Sequence, residues 1–237
     1  PYNFTVTTIA FMPLEVLMAM GDKKVEISGQ KLWCGSLGVI EYLLGNPEFV
    51  QDKRVLELGA GTGVLGMLCS KLGSTNVVLT DNDIRSLNHM NEDVPRNKIL
   101  NTTVSSLDWF NPPSSAELID MMGFQTNSVV VAADDDDDDA CDYSNVRIVA
   151  GDVLYKQVLL EPFITTCKNV LTTFPGSKMI LCHVPRVGID QIDVINLAKN
   201  KKLNIVEIDE TQWLKGSVIE YSVVEDHSRA KMYQITL

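Results

Sequence analysis

The sequence predicts an α/β fold: a doubly wound, mostly parallel seven-strand sheet with an antiparallel edge, preceded by a short N-terminal β extension. Three observations carry this. From about Lys53 onward, short apolar runs alternate with longer runs of helical periodicity, the pattern of a parallel sheet covered on both faces. A glycine-rich stretch, VLELGAGTGVLG (residues 55–66), joins the first of those strands to the first helix. No helical pattern separates the last two apolar runs, so one edge is expected to be antiparallel.

Taken in order, residues 1–30 alternate loosely, as two or three strands would, and are expected to precede the main domain at 31–237. GSLGVIEYLL has apolar residues at helical spacing. RVLEL (54–58) is a short apolar strand, followed by a helix through Val64, Leu65, Leu68 and Leu72. NVVLTD (76–81) is the second strand, with a helix near 84–93, and TTVSSLDW opens as the third. Between about 111 and 145 the periodicity lapses: PPSS, the apolar patch SVVVAA and a run of aspartates read as an insertion. VRIVAGD (146–152) resumes as the fourth strand, with a helix at 158–171. KMILCHV (178–184) is the fifth, INLAKNKK belongs to a helix, and LNIVEI and AKMYQITL are the closing strands.

Composition narrows the function classes. At 237 residues, 45% hydrophobic and 22% charged, the chain has the balance of an ordinary globular protein. No apolar run reaches the ~18 residues of a membrane helix, so no membrane partner is expected. Pro13 and Glu15 interrupt the apolar opening and no basic segment precedes it, so a signal peptide is not expected. Cys34, Cys69, Cys141, Cys167 and Cys182 are odd in number and contain no CxxC, which argues against disulfides and structural zinc and points to the cytoplasm or nucleus. His89, His183 and His227 are too scattered for a metal site, and His183 reads as a core histidine. Six of the 31 acidic residues form one run, Asp134 to Asp139, and the rest leave a balance of −5 against 20 basic residues. That run reads as a solvated loop, or as a docking segment for a basic partner; nucleic acid is disfavoured.

Two ligands fit the glycine loop. The stretch is GxGxG from Gly59 and GxGxxG from Gly61, and Asp81, ending the second strand, is placed for the ribose hydroxyls of an adenosine. NAD and S-adenosylmethionine (SAM) both carry that ribose. Glu57, two residues before the first glycine, separates them: a carboxylate is repelled by a pyrophosphate and accommodated by an amine or by loop amides, which favours SAM.

ELGAGTG, LTDND, LDW and GDVLY, in this order, resemble the seven-strand SAM-dependent methyltransferases, and more narrowly the non-histone protein lysine methyltransferases with their D-x-x-Y motif. KLWCGSLGVIEYLL is similar to that family's entry segment. The resemblance implies that Gly59, Ala60, Gly61 and Gly63 line the methionine and ribose with Glu57 nearby, that Asp81 binds the ribose, and that Asp108 accepts from the adenine amino group. It implies that Trp109 covers the adenine and that Trp33 and Gly151 complete the wall. Cys34 stands where the family often has Pro, and Gly151 where it often has Ala or Ser.

A sulfonium is already an excellent leaving group, so the protein mainly aligns a neutral nucleophile and excludes water. Asp152 and Tyr155 are then the candidate catalytic residues: Asp152 orients the acceptor amine, and Tyr155 positions it or shields the methyl. The implied partner is a protein substrate, basic or of the chaperone or translation type, met by a monomer. Alternatives are a histidine or small-amine acceptor, a non-catalytic SAM-fold interaction module, and an NAD-dependent oxidoreductase. Arg186, in HVPR, is either a basic site residue or one half of a surface ion pair.

Overall fold

Arg54–Leu58 (β1) lies mid-sheet because its residues past Arg54 tolerate burial on both faces. In the computed structural model, which describes residues 2–8, 29, 31–124, 142–186, 188–213 and 229–237, β1 pairs in parallel with Asn76–Asp81 (β2) and with Val146–Gly151 (β4). Thr102–Ser106 (β3) lies outside β2, and Lys178–His183 (β5) outside β4. Asn204–Ile208 (β6) and Lys231–Thr236 (β7) complete the order β3-β2-β1-β4-β5-β7-β6. β7 enters between β5 and β6, antiparallel to both. The chain thus winds outward from β1 to β3, then returns beside β1 as β4, and that reversal opens a crevice at the strands' carboxyl ends.

Period-two alternation feeds two cores. Leu56, Leu58, Ile148 and Ala150 face Ser115–Met121 (α4), Leu160–Thr173 (α5) and Gln191–Asn200 (α6). Val55 and Val149 face Cys34–Gly45 (α1), Val64–Lys71 (α2) and Ile84–Arg96 (α3), with Glu210–Trp213 (α7) joining through the buried Trp213. Two helices depart from expectation. α4 forms inside the segment whose periodicity lapses, because Ser114 and Glu117 make a reciprocal capping box and Leu118 and Ile119 are buried. α7 sits between the last two strands, where the sequence pattern predicts no helix, and is only four residues long.

Of residues 1–30, only 2–8 and 29 are described, and 2–8 form no strand. They are pinned to α3 instead. Thr5 exchanges two 2.7 Å bonds with the Asn97 side chain, and the Thr7 hydroxyl donates to the buried Asp93 at 2.9 Å. The expected strands elsewhere in that segment, and the run Asp134 to Asp139, lie outside the described residues.

Candidate active site

The turn from β1 into α2 is made by glycines at alternate positions, Gly59, Gly61 and Gly63, all with φ between +55° and +71°. A side chain there is strained, and at Gly59 it also has no room: a Cβ would stand 2.8 Å from Val153 and 3.2 Å from the Trp109 ring. Gly63 caps α2 but has no side chain to do so. Glu57 supplies the missing acceptor from β1, taking the Gly66 amide at 2.7 Å, and the bare Cα of Gly66 leaves it the space. Burial pushes the Glu57 carboxyl up from 4.5 to about 8; the Gly66 bond opposes this and nearby Asp81 adds to it.

Asp81, at the end of β2, accepts from the amides of Gly61 and Asp83 at 2.9 Å each. It closes one wall of a cavity of about 280 Å³ at the carboxyl ends of the strands. Burial raises its pKa, with three loop amides acting against the rise. Each carboxylate oxygen has two lone pairs, so both keep capacity for a ligand's hydroxyls after those bonds. Gly59, Asp108, Trp109 and Tyr155 share the cavity wall. Asp108 accepts from the Phe110 amide at 3.0 Å, which folds the loop after β3 over the cavity. Trp109 is held edge-on against Phe163, ring centroids 4.9 Å apart. The remaining wall residues, Gly29, Asn82, Asp83, Leu107, Phe110, Val153 and Leu159, are ones that sequence reasoning missed. Asn82 and Asp83 lie inside the LTDND stretch; Gly29 carries no sequence signal and is found only by its position over Gly61, whose Cβ would meet the Gly29 carbonyl at 2.9 Å.

On the far side of the crevice the chain leaves β4 through Asp152, a non-glycine residue at φ +57°. The turn explains the D-x-x-Y spacing. Val153 packs on Gly59, Leu154 is fully buried, and Tyr155 emerges half-exposed into the cavity wall. The Asp152 amide donates to Cys182 at 2.9 Å, and its buried carboxylate pairs with Arg186 at 2.6 Å. The Arg186 guanidinium also lies over Trp33, 5.7 Å from the ring centroid.

The other anticipated residues stand behind the cavity wall. Glu57 is turned under the loop, Ala60 is tied by its amide to Thr80 at 2.8 Å, and Gly61 and Gly63 set the loop's path. Trp33 is the residue before α1 and carries Lys31 as well as Arg186 over its ring. Gly151 meets α1, not the cavity: a Cβ there would stand 2.5 Å from Ser36 Cα, which explains why Ala or Ser has no room at this position. Among the described residues no group of three His, Cys, Asp or Glu is placed to hold a metal, and no helix is long and apolar enough to cross a membrane.

The cavity suits an adenosine: carboxylates for a ribose diol and an exocyclic amine, and Leu107 and Trp109 for an adenine face. The family model described as lysine methyltransferase matches residues 15–135, just over half of the chain. The chain is 25% identical over 163 residues to the protein-lysine N-methyltransferase EFM3 of Chaetomium thermophilum, covering 67% of this chain and 43% of that relative. It is 28% identical over 181 residues to the protein N-terminal and lysine N-methyltransferase efm7 of Schizosaccharomyces pombe, covering 75% of this chain and 65% of that one. Among solved structures, a TehB-like SAM-dependent methyltransferase from Corynebacterium glutamicum superposes with a TM-score of 0.52 at 19% identity, covering 94% of this chain and 93% of the other. The chain therefore spans less than two thirds of either of these two relatives' length.

Proposed function

The chain belongs to the lysine methyltransferase family, and on that footing we propose that it transfers a methyl group from SAM to a lysine ε-amine of a non-histone protein. One observation carries the reading: the Asp152–Tyr155 turn stands across the glycine loop from Asp81, with Val153 against Gly59 and Tyr155 in the wall of the same cavity.

SAM, when bound, supplies an activated methyl on a sulfonium. The chain's own residues do the rest. Asp81 receives the ribose hydroxyls, Asp108 the adenine amine, and Leu107 and Trp109 the adenine faces. Tyr155 screens the methyl from water, and Asp152 orients the incoming amine by hydrogen bonding. Glu57 weighs against a dinucleotide by a route other than repulsion at the cavity. A pyrophosphate would seat on the amides at the start of α2, and Glu57 already holds the Gly66 amide there.

The net charge of −11 supports a basic protein segment over nucleic acid as the partner of a monomer. Four described cysteines without disulfides, three of them buried, support a reducing cytoplasm or nucleus. The test is incubation with methyl-labelled SAM and a cell extract, then mass spectrometry of the labelled protein. Label on a lysine of a non-histone protein is expected. Label on a histidine, an α-amine or a small molecule would change the acceptor, and no label at all would sink the transfer reading.

A further inference from the structure

A buried carboxylate that orients an amine also works against it. An opposite charge within ~4–6 Å favours the charged form by 1–3 pH units, and an ammonium has no lone pair with which to attack. Asp152, its side chain fully buried, would on its own hold an incoming lysine in that inert form.

Arg186 stands where it changes this balance. It begins a tight turn after β5, fixed by two reciprocal backbone bonds with Ile189 of 3.1 and 2.9 Å. From there its guanidinium reaches back to Asp152 at 2.6 Å while remaining 22% exposed. Trp33, leading into α1, lies beneath the same guanidinium. Three separate elements thus hold one cation on the carboxylate.

We propose that Arg186 is a positioning residue whose charge, held on Asp152, offsets that carboxylate's pull on the acceptor's proton and so lets the acceptor ammonium deprotonate; this rests on the reading that Asp152 faces the acceptor. Paired with Arg186, Asp152 still accepts a hydrogen bond and sets the angle of approach, but the pair carries no net charge to retain a proton. The incoming ammonium first gives one proton to solvent; the lone pair so freed forms the new N–CH3 bond, the S–CH3 electron pair passes to sulfur, and the product is a secondary ammonium that exchanges its proton with solvent.

Of the other groups around the pair, two lysines act in the same sense, a cysteine and a histidine stay neutral, and Asp190 acts against it. Cys182 of β5 has its thiol pushed well above the usual range by burial, then by Asp152 and Cys34 of α1. His183 of β5 is held below its ordinary value chiefly by burial, with Arg186 lowering it further and donation to the Ile189 backbone and the charge of Asp190 raising it. Lys31 lies over Trp33 at 4.9 Å and Lys156 over Tyr155 at 5.1 Å, each adding positive charge to this side of the crevice.

The experiment measures initial rates of label transfer from methyl-labelled SAM into the most strongly labelled protein of a heated extract of the source organism. Wild type, R186Q, R186M and R186K are compared from about pH 6.5 to 9.5, across the window between reference carboxylate and lysine values. SAM affinity is measured by calorimetry for each. R186Q and R186M differ in packing but share the loss of charge. Both should keep SAM affinity within about threefold, lose tenfold or more in rate at neutral pH, and shift the acid limb of the profile upward by about one pH unit or more. R186K should keep the wild-type limb. A limb that stays in place in both uncharged variants, whatever their rates, overturns the proposal, as does an equal shift in R186K. Absence of label with wild type at every pH would instead reject the transfer reading beneath it.

Discussion

Replacing Glu57 by glutamine tests whether the glycine loop rests on a carboxyl that prefers its proton. Glu57 is 2% exposed, and its bond from the Gly66 amide lowers its pKa by less than burial raises it, from 4.5 to about 8. The folded protein therefore binds this proton more tightly than the unfolded chain does. The stability so contributed is complete below about pH 4.5 and is lost as pH rises through 8. At 1.36 kcal/mol per pH unit, the interval of roughly 3.5 units sets an upper bound of ~5 kcal/mol.

The glutamine of E57Q is neutral at every pH. Its oxygen can keep the Gly66 bond, but its NH2 group needs acceptors, at a cost of ~1–3 kcal/mol if they are lacking. Wild type should thus be the more stable below pH 5 and lose that advantage steadily towards pH 9, where E57Q should equal or exceed it. Urea unfolding at unit pH intervals checks this, and groups common to both proteins cancel in the difference. A difference that stays constant from pH 5 to 9 would refute the reasoning, since Glu57 would then ionise as it does in water.

Three other outcomes are expected. G151A should lose ~1–3 kcal/mol, the usual cost of overpacking, because its Cβ would stand 2.5 Å from Ser36 Cα and 2.6 Å from Ser36 N, backbone atoms that cannot rotate away; an unchanged melting temperature would contradict this. D81N should weaken SAM by about ten- to a hundredfold through the loss of charge-assisted bonds to the ribose, measured by calorimetry, and an unaltered affinity in a folded variant would place the ribose elsewhere. D152N should abolish methyl transfer while SAM affinity stays within about threefold; full transfer would remove Asp152 from the acceptor side. Asn is the cleaner substitution than Ala, because it tolerates the left-handed backbone seen at this position.

What can be read from the chain depends on how local its cause is. The strands of β1 and β4, the glycine turn and Asp81 are legible because short continuous apolar runs, buried on both faces, and closely spaced glycines leave their mark within a few residues. α4 also has a local mark, Ser114 with Glu117 three residues on, but seven residues after two prolines are too short for helical periodicity to register. The pairing of Arg186 with Asp152 has no such mark. The two are 34 residues apart and meet only because β4 and β5 are neighbours in the sheet. The sequence shows Glu57 only as a charge beside the glycine loop, and the fold alone shows its carboxyl turned onto the Gly66 amide of α2.

Asp152 shows why the rest is hidden. A non-glycine residue at φ +57° carries a backbone cost of ~1–3 kcal/mol and persists only where its surroundings over-determine it. Here Cys182 of β5 takes its amide, Arg186 takes its carboxylate, and α1 lies against its backbone so closely that a Cβ on Gly35 would stand 2.5 Å from the Asp152 nitrogen. Glycine would relieve the strain and asparagine would tolerate it, yet neither brings a carboxylate for Arg186. The strained residue is therefore the one that carries the carboxylate paired with Arg186, and the contacts that hold it come from α1, from β5 and from the turn after it, segments on opposite sides of β4 in sequence.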